Sequence, residues 1–169
     1  LILLGLRKIH TNHMQILKGI WPQNKGFELH KKKVGILGFG NIGQTLTSLL
    51  QSFQCEIIFF DQHIFQPDEI KDICNSHNIN PSKLRQANFN EVLSESDVLS
   101  IHLPLNSKTR NIINANALLL VKSHVVLVNT ARGGIVQEKD LISFLSSNLD
   151  AFAAFDVFAE EPAINNPLF

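Results

Sequence analysis

The stretch GFGNIG, Gly38 to Gly43, limits what this chain can fold into more than any other. It sits between an apolar run, KVGILG (33–38), and an amphipathic pattern, NIGQTLTSLLQSF (41–53). A chain that turns sharply from a buried strand into a helix needs small residues at three points. Gly38 permits the turn, Gly40 lets another group approach the backbone, and Gly43 lets the helix press on the sheet. Glycines are common in turns, so the pattern gains its weight from the strand before it and the helix after it.

The remainder of the chain repeats the same alternation. EIIFFD (56–61), DVLSIHLP (97–104), HVVLVN (124–129) and DAFAAFDVF (150–158) read as strands, with KLRQA (83–87) as a short edge strand. Residues 67–78, 114–121 and 138–147 read as helices, the first with Pro67 near its start. Strands apolar on both faces that alternate with helices predict an α/β fold of the Rossmann type: a doubly wound parallel sheet covered on each side, in three layers α/β/α. Ahead of it, Ile2, Leu6, Ile9, Ile16 and Ile20 recur at helical spacing, with His13 in the one gap, and predict one amphipathic helix ending near Gly19. The polar connection PQNKGFELHKK is the best boundary in the chain.

The second strand ends in Asp61, 18 residues beyond Gly43. Strand, glycine turn, helix, second strand and acid, in that order, form the context that a dinucleotide-binding fingerprint demands. The N–H groups around Asn41 and Ile42 would face the phosphates, aided by the helix dipole. Asp61 would accept hydrogen bonds from the adenosine ribose and repel a 2′-phosphate. Neither Gln62 nor His63 is an arginine, so NAD is favoured over NADP.

Charge narrows the partners. Lys plus Arg equal Asp plus Glu at 15 each, so there is no basic footprint for nucleic acid and no polybasic stretch for an anionic membrane. A small-molecule or protein partner is expected. Cys55 and Cys74 lack a ligand or redox spacing, which fits a reducing compartment. LILLGL is far shorter than the ~20 apolar residues of a membrane span. A cytoplasmic, soluble protein is the expectation, as a piece of a longer chain that begins at Leu1 and stops at NNPLF.

In an open parallel sheet, ligands bind beyond the carboxyl ends of the strands. Three later strands deliver unusual residues there: His102, Leu103 and Pro104; Thr130, Ala131 and Arg132; and Asp156 with Glu160 and Glu161 just past it. An arginine beside small residues is suited to hold a carboxylate with two parallel hydrogen bonds. The bland reading is a surface arginine paired with Glu160 or Asp140. His102 is as well explained by a packed strand end lining a cofactor pocket as by an acid or base.

Together GFGNIG, Asp61, HLPLNSKTRNIIN (102–114), VNTARGGIVQEKDL (128–141) and AAFDVFAEEP (153–162) resemble the nucleotide-binding domain of the D-isomer-specific 2-hydroxyacid dehydrogenases, phosphoglycerate dehydrogenase-like members in particular. The resemblance implies an NAD-dependent oxidoreductase acting on a 2-hydroxy acid or 2-keto acid. Arg132 matches the catalytic, carboxylate-binding arginine and Glu161 the catalytic glutamate. Asn41 and Ile42 match the pyrophosphate pair, Asp61 the ribose acid, Leu103 and Thr130 to Arg132 cofactor positions, and Asp156 the aspartate near the nicotinamide carboxamide. It further implies a homodimer, and a catalytic Pro-His motif beyond this sequence, so that the 169 residues alone would bind NAD without turnover. In this scheme residues 1–22 form a bridging helix and linker toward a substrate domain largely absent from the chain, and 23–169 the NAD-binding domain. The segment 62–90 is longer than the usual link. A different class is also open: an NAD(H)-sensing regulatory protein, like the co-repressors that share this fold.

Overall fold

The computed structural model describes residues 1–169. The strands are β1 (Lys33–Leu37), β2 (Glu56–Phe60), β3 (Leu84–Gln86), β4 (Val98–Ile101), β5 (Val126–Asn129) and β6 (Phe152–Phe155). All neighbours pair in parallel, in the order β3-β2-β1-β4-β5-β6. The direction of winding reverses between β1 and β4, where Leu37 pairs with Ile101. A crevice opens at the carboxyl ends of those two strands.

Helices cover both faces: α1 (Ile2–Leu6), α2 (Ile9–Leu17), α3 (Asn41–Leu50), α4 (Pro67–His77), α5 (Phe89–Glu95), α6 (Ala115–Leu118) and α7 (Glu138–Ser147). Strand alternation divides the core into two layers. Val34, Ile36, Ile57, Val98, Val126 and Val128 pack with residues of α1, α3 and α4. Leu37, Ile58, Leu99 and Leu127 pack with α5, α6 and α7. Every residue of β4 and β5 is buried, which is why these strands read as continuous apolar runs. No helix is long and apolar enough to cross a membrane.

The structure departs from the sequence reading at four places. The expected first helix is two helices, because Lys8 takes a left-handed conformation, φ 51°, at the junction. Gly5 lies so close to the sheet that a Cβ there would stand 2.6 Å from the Phe152 ring, and Lys8 Nζ is 2.8 Å from Asp150. These contacts hold α1 to β5 and β6, while α2 turns outward and buries no residue. The strands are shorter than expected at one or both ends: β1 and β2 start as expected and stop one residue early, and β5 starts at Val126 rather than His124. The helix of 114–121 contracts to the four residues of α6. Finally, α5 was not anticipated, although Asn88 and Glu91 form a reciprocal cap at its start.

Candidate active site

The glycine turn leads from β1 into α3. Gly38 has φ +95°, and a Cβ there would lie 2.7 Å from the carbonyl oxygen of His102 on the neighbouring strand end. Gly43 sits against the Gly38 carbonyl with no room for a side chain. A Cβ at Gly40, by contrast, would meet nothing within 4 Å. The first glycine is needed for conformation, the third for packing, and the second faces open space. No side chain caps α3, and Asn41 and Ile42 at its start are exposed, so its first-turn N–H groups are free to meet an anion.

Phe39 anchors this turn from below. Its buried ring stacks on Phe59 with centroids 3.8 Å apart, and Phe65 meets both edge-on. Asp61 ties the turn to the end of β2: one carboxylate oxygen accepts the Phe39 N–H at 2.7 Å, the other the His63 N–H at 3.0 Å. Each oxygen keeps a further lone pair for a ligand hydroxyl. Open space at Gly40, free N–H groups and a preset acid fit the phosphates and ribose of a dinucleotide.

Across the crevice, a cavity of about 640 Å³ is lined by Ile42, the stretch His102 to Leu105, and the turn Thr130 to Arg132. The glycine-turn helix and Arg132 therefore share one rim. Arg132 is exposed, forms no ion pair with Asp140 or Glu160, and folds back so that Nη1 donates to the Ala131 carbonyl at 2.6 Å. His102 is half-buried, its Nε2 2.9 Å from Ser100 Oγ, and burial pushes its pKa below the usual histidine value. A neutral imidazole suits a cavity wall.

Asp156 and Glu161 do not line that cavity. Asp156 follows β6, exposed, with its N–H on the Asn129 carbonyl at 3.0 Å. Glu161 is exposed and accepts the Phe158 N–H at 2.9 Å. Their loop touches the arginine turn, since Gly133 abuts the Phe158 carbonyl.

One contributor escaped the sequence reading. Asn129 is 1% exposed; its side-chain oxygen accepts the Ala131 N–H at 3.1 Å and its amide donates to the Arg132 carbonyl at 3.0 Å. It shapes the turn that presents Arg132. A polar residue closing an otherwise apolar buried strand was the available signal.

The sheet order, the crevice and the glycine turn define a dinucleotide-binding Rossmann domain. The chain belongs to the D-isomer specific 2-hydroxyacid dehydrogenase, NAD binding domain family, whose model matches residues 1–169. It is 34% identical over 170 residues to a D-3-phosphoglycerate dehydrogenase of Methanocaldococcus jannaschii, covering 99% of this chain and 31% of that protein. It is 32% identical to a glyoxylate reductase of Thermococcus litoralis, covering all of this chain and 51% of the relative. The chain thus spans from a third to a half of the length of these relatives. Among solved structures it resembles a glyoxylate reductase from Paecilomyes thermophila (TM-score 0.81, 30% identity, 98% and 48% of the two chains). It also resembles an NAD-dependent formate dehydrogenase from Staphylococcus aureus in complex with NAD (TM-score 0.82, 32% identity, 97% and 47%).

Proposed function

We propose that this chain is the cofactor-holding part of an NAD-dependent oxidoreductase that interconverts a D-2-hydroxy acid and its 2-keto acid. The observation that supports this most is the rim shared by the glycine-turn helix and Arg132. A cofactor and a carboxylate held at one edge can lie within reach of each other.

In this reading Gly38, Gly40 and Gly43 shape the cradle, the N–H groups of Asn41 and Ile42 hold the pyrophosphate, and Asp61 holds the adenosine ribose. A 2′-phosphate would meet the Asp61 charge, which favours NAD over NADP. His102, Leu103, Pro104, Thr130 and Ala131 line the cofactor cleft, and Asp156 faces the carboxamide. Bound nicotinamide supplies the hydride. Arg132 leaves the Ala131 carbonyl to grip the substrate carboxylate with two hydrogen bonds. Glu161 stands beside a histidine outside these 169 residues and keeps it charged near neutral pH, so that it can give a proton to the keto oxygen. Residues 1–22 bridge toward the substrate domain. The isolated 169-residue chain binds NADH and turns over no keto acid.

Fluorescence titration with NADH tests the division of roles. Asp61→Ala should weaken binding roughly tenfold to a hundredfold, through lost ligand and turn hydrogen bonds, while Arg132→Ala leaves it within about twofold. In a complete enzyme, Arg132→Ala should cut kcat/KM for the keto acid about a hundredfold or more. Equal effects of both variants on NADH affinity would end the proposal.

We also propose a homodimer. Helix α2 and the residues after it expose Ile9, Ile16, Leu17, Ile20 and Trp21, the last at 82%. A second copy of this surface would cover them. Sedimentation of wild type against a Leu17→Glu, Trp21→Glu variant tests this: a wild-type monomer at micromolar concentration contradicts it.

A further inference from the structure

The loop from Val157 to Leu168 carries Glu161 and has no regular secondary structure. Two of its donors converge on one carboxylate from another element. Glu138, the first residue of α7, accepts the Ala159 N–H at 2.7 Å through Oε1 and the Asn166 side-chain amide at 3.0 Å through Oε2. An acid in a helix's first turn usually serves its own helix. Here both oxygens are committed to partners 21 and 28 residues away. Ala159 directly follows Phe158, whose N–H holds Glu161 and whose carbonyl lies against Gly133 in the arginine turn. Asn166 in turn accepts the Leu168 N–H at 2.9 Å, and Leu168 packs on the core.

We infer that Glu138 is a positioning residue: it fixes the loop so that Glu161 is held against the turn that presents Arg132. The inference rests on the reading of Glu161 given above. A charged acceptor with two donors is the strong form of hydrogen bond. Asp140, two residues on, makes a separate long-range bond to the Ala115 N–H at 2.8 Å and supplies a control, because Asp140→Asn removes the same charge from the same helix turn.

Amide hydrogen exchange of the 169-residue chain reads the positioning directly. Glu138→Ala should speed exchange at Phe158 and Ala159 about tenfold or more, Glu138→Gln less because its amide oxygen still accepts one bond, and Asp140→Asn not at all. Retained exchange protection in β4 and β5 shows that the variants fold. The second arm uses the pH profile of kcat in the complete dehydrogenase. Glu161→Gln and Glu138→Ala should both move its alkaline limb to lower pH, with Glu138→Gln restoring most of the wild-type profile. Unchanged exchange at Phe158 and Ala159 in Glu138→Ala overturns the inference, and so does a wild-type pH profile in Glu138→Ala alongside a shifted one in Glu161→Gln. A wild-type profile in Glu161→Gln would instead overturn the role given to Glu161.

Discussion

The two sides of the crevice are built by different means. On the β1–β2 side the backbone is the site: three glycines, uncapped N–H groups, and Asp61 already bonded to the turn it serves. On the β5–β6 side the working groups are exposed side chains on irregular segments, held by Asn129 at the end of β5 and by Glu138 from α7. The first side is finished within one strand–helix–strand unit. The second depends on bonds between elements, and its parts can be loosened separately.

The sharpest way to break this comparison is Gly133→Ala. A Cβ there would overlap the Phe158 carbonyl, which is backbone and cannot swing aside, so the arginine turn and the Glu161 loop must part. A loss of about 3 kcal/mol in urea unfolding is expected, with NADH affinity changed far less than stability. If NADH binding fell in parallel with stability, the two sides would not be separable. Next in size is Asn129→Ala, which removes the partners of the half-buried Ala131 N–H and of the Arg132 carbonyl and should cost about 1–2 kcal/mol. NADH affinity should fall less than with Asp61→Ala, through Thr130 and Ala131, which the same turn carries into the cleft.

The smallest effect concerns pH. Burial lowers the pKa of His102, so the unfolded chain takes up a proton that the folded chain resists. That contribution to stability is complete above about pH 6.5 and declines as pH falls toward the folded value. Melting curves from pH 8 to 5 should show it, and His102→Gln should flatten it. Asp97 acts in a lower window. Burial raises its pKa, but the Lys33 N–H and the Lys122 ammonium outweigh that and leave it below the usual carboxylate range. Its contribution is present above about pH 3.9 and lost as pH falls through the folded value, so the two slopes are separable.

The same contrast explains what could be read from the sequence. The sheet, the glycine turn and Asp61 obey local rules, in which spacing and residue type carry the information. Asn129 bonds residues two and three further on, a local turn signal of a strand-ending asparagine. Glu138, by contrast, is legible only as a helix-start acid, because its partners 21 and 28 residues away come from folding rather than spacing. The break at Lys8 is similar: the apolar periodicity continues through it, and only the fit of Gly5 against Phe152 reveals that one helix must stop. Helix α5 differs, since its reciprocal Asn88–Glu91 cap is a local signal present in the sequence itself.

The Arg132 guanidinium already has an acceptor in its own turn. An anion can meet the remaining guanidinium donors at once, but to take the Nη1 donor as well it must displace a neutral oxygen, and that part of the affinity is the difference between two bonds to the same group. Asp61 faces no such exchange. The dinucleotide is met by a finished surface, and the acid by a side chain that still has one donor to free.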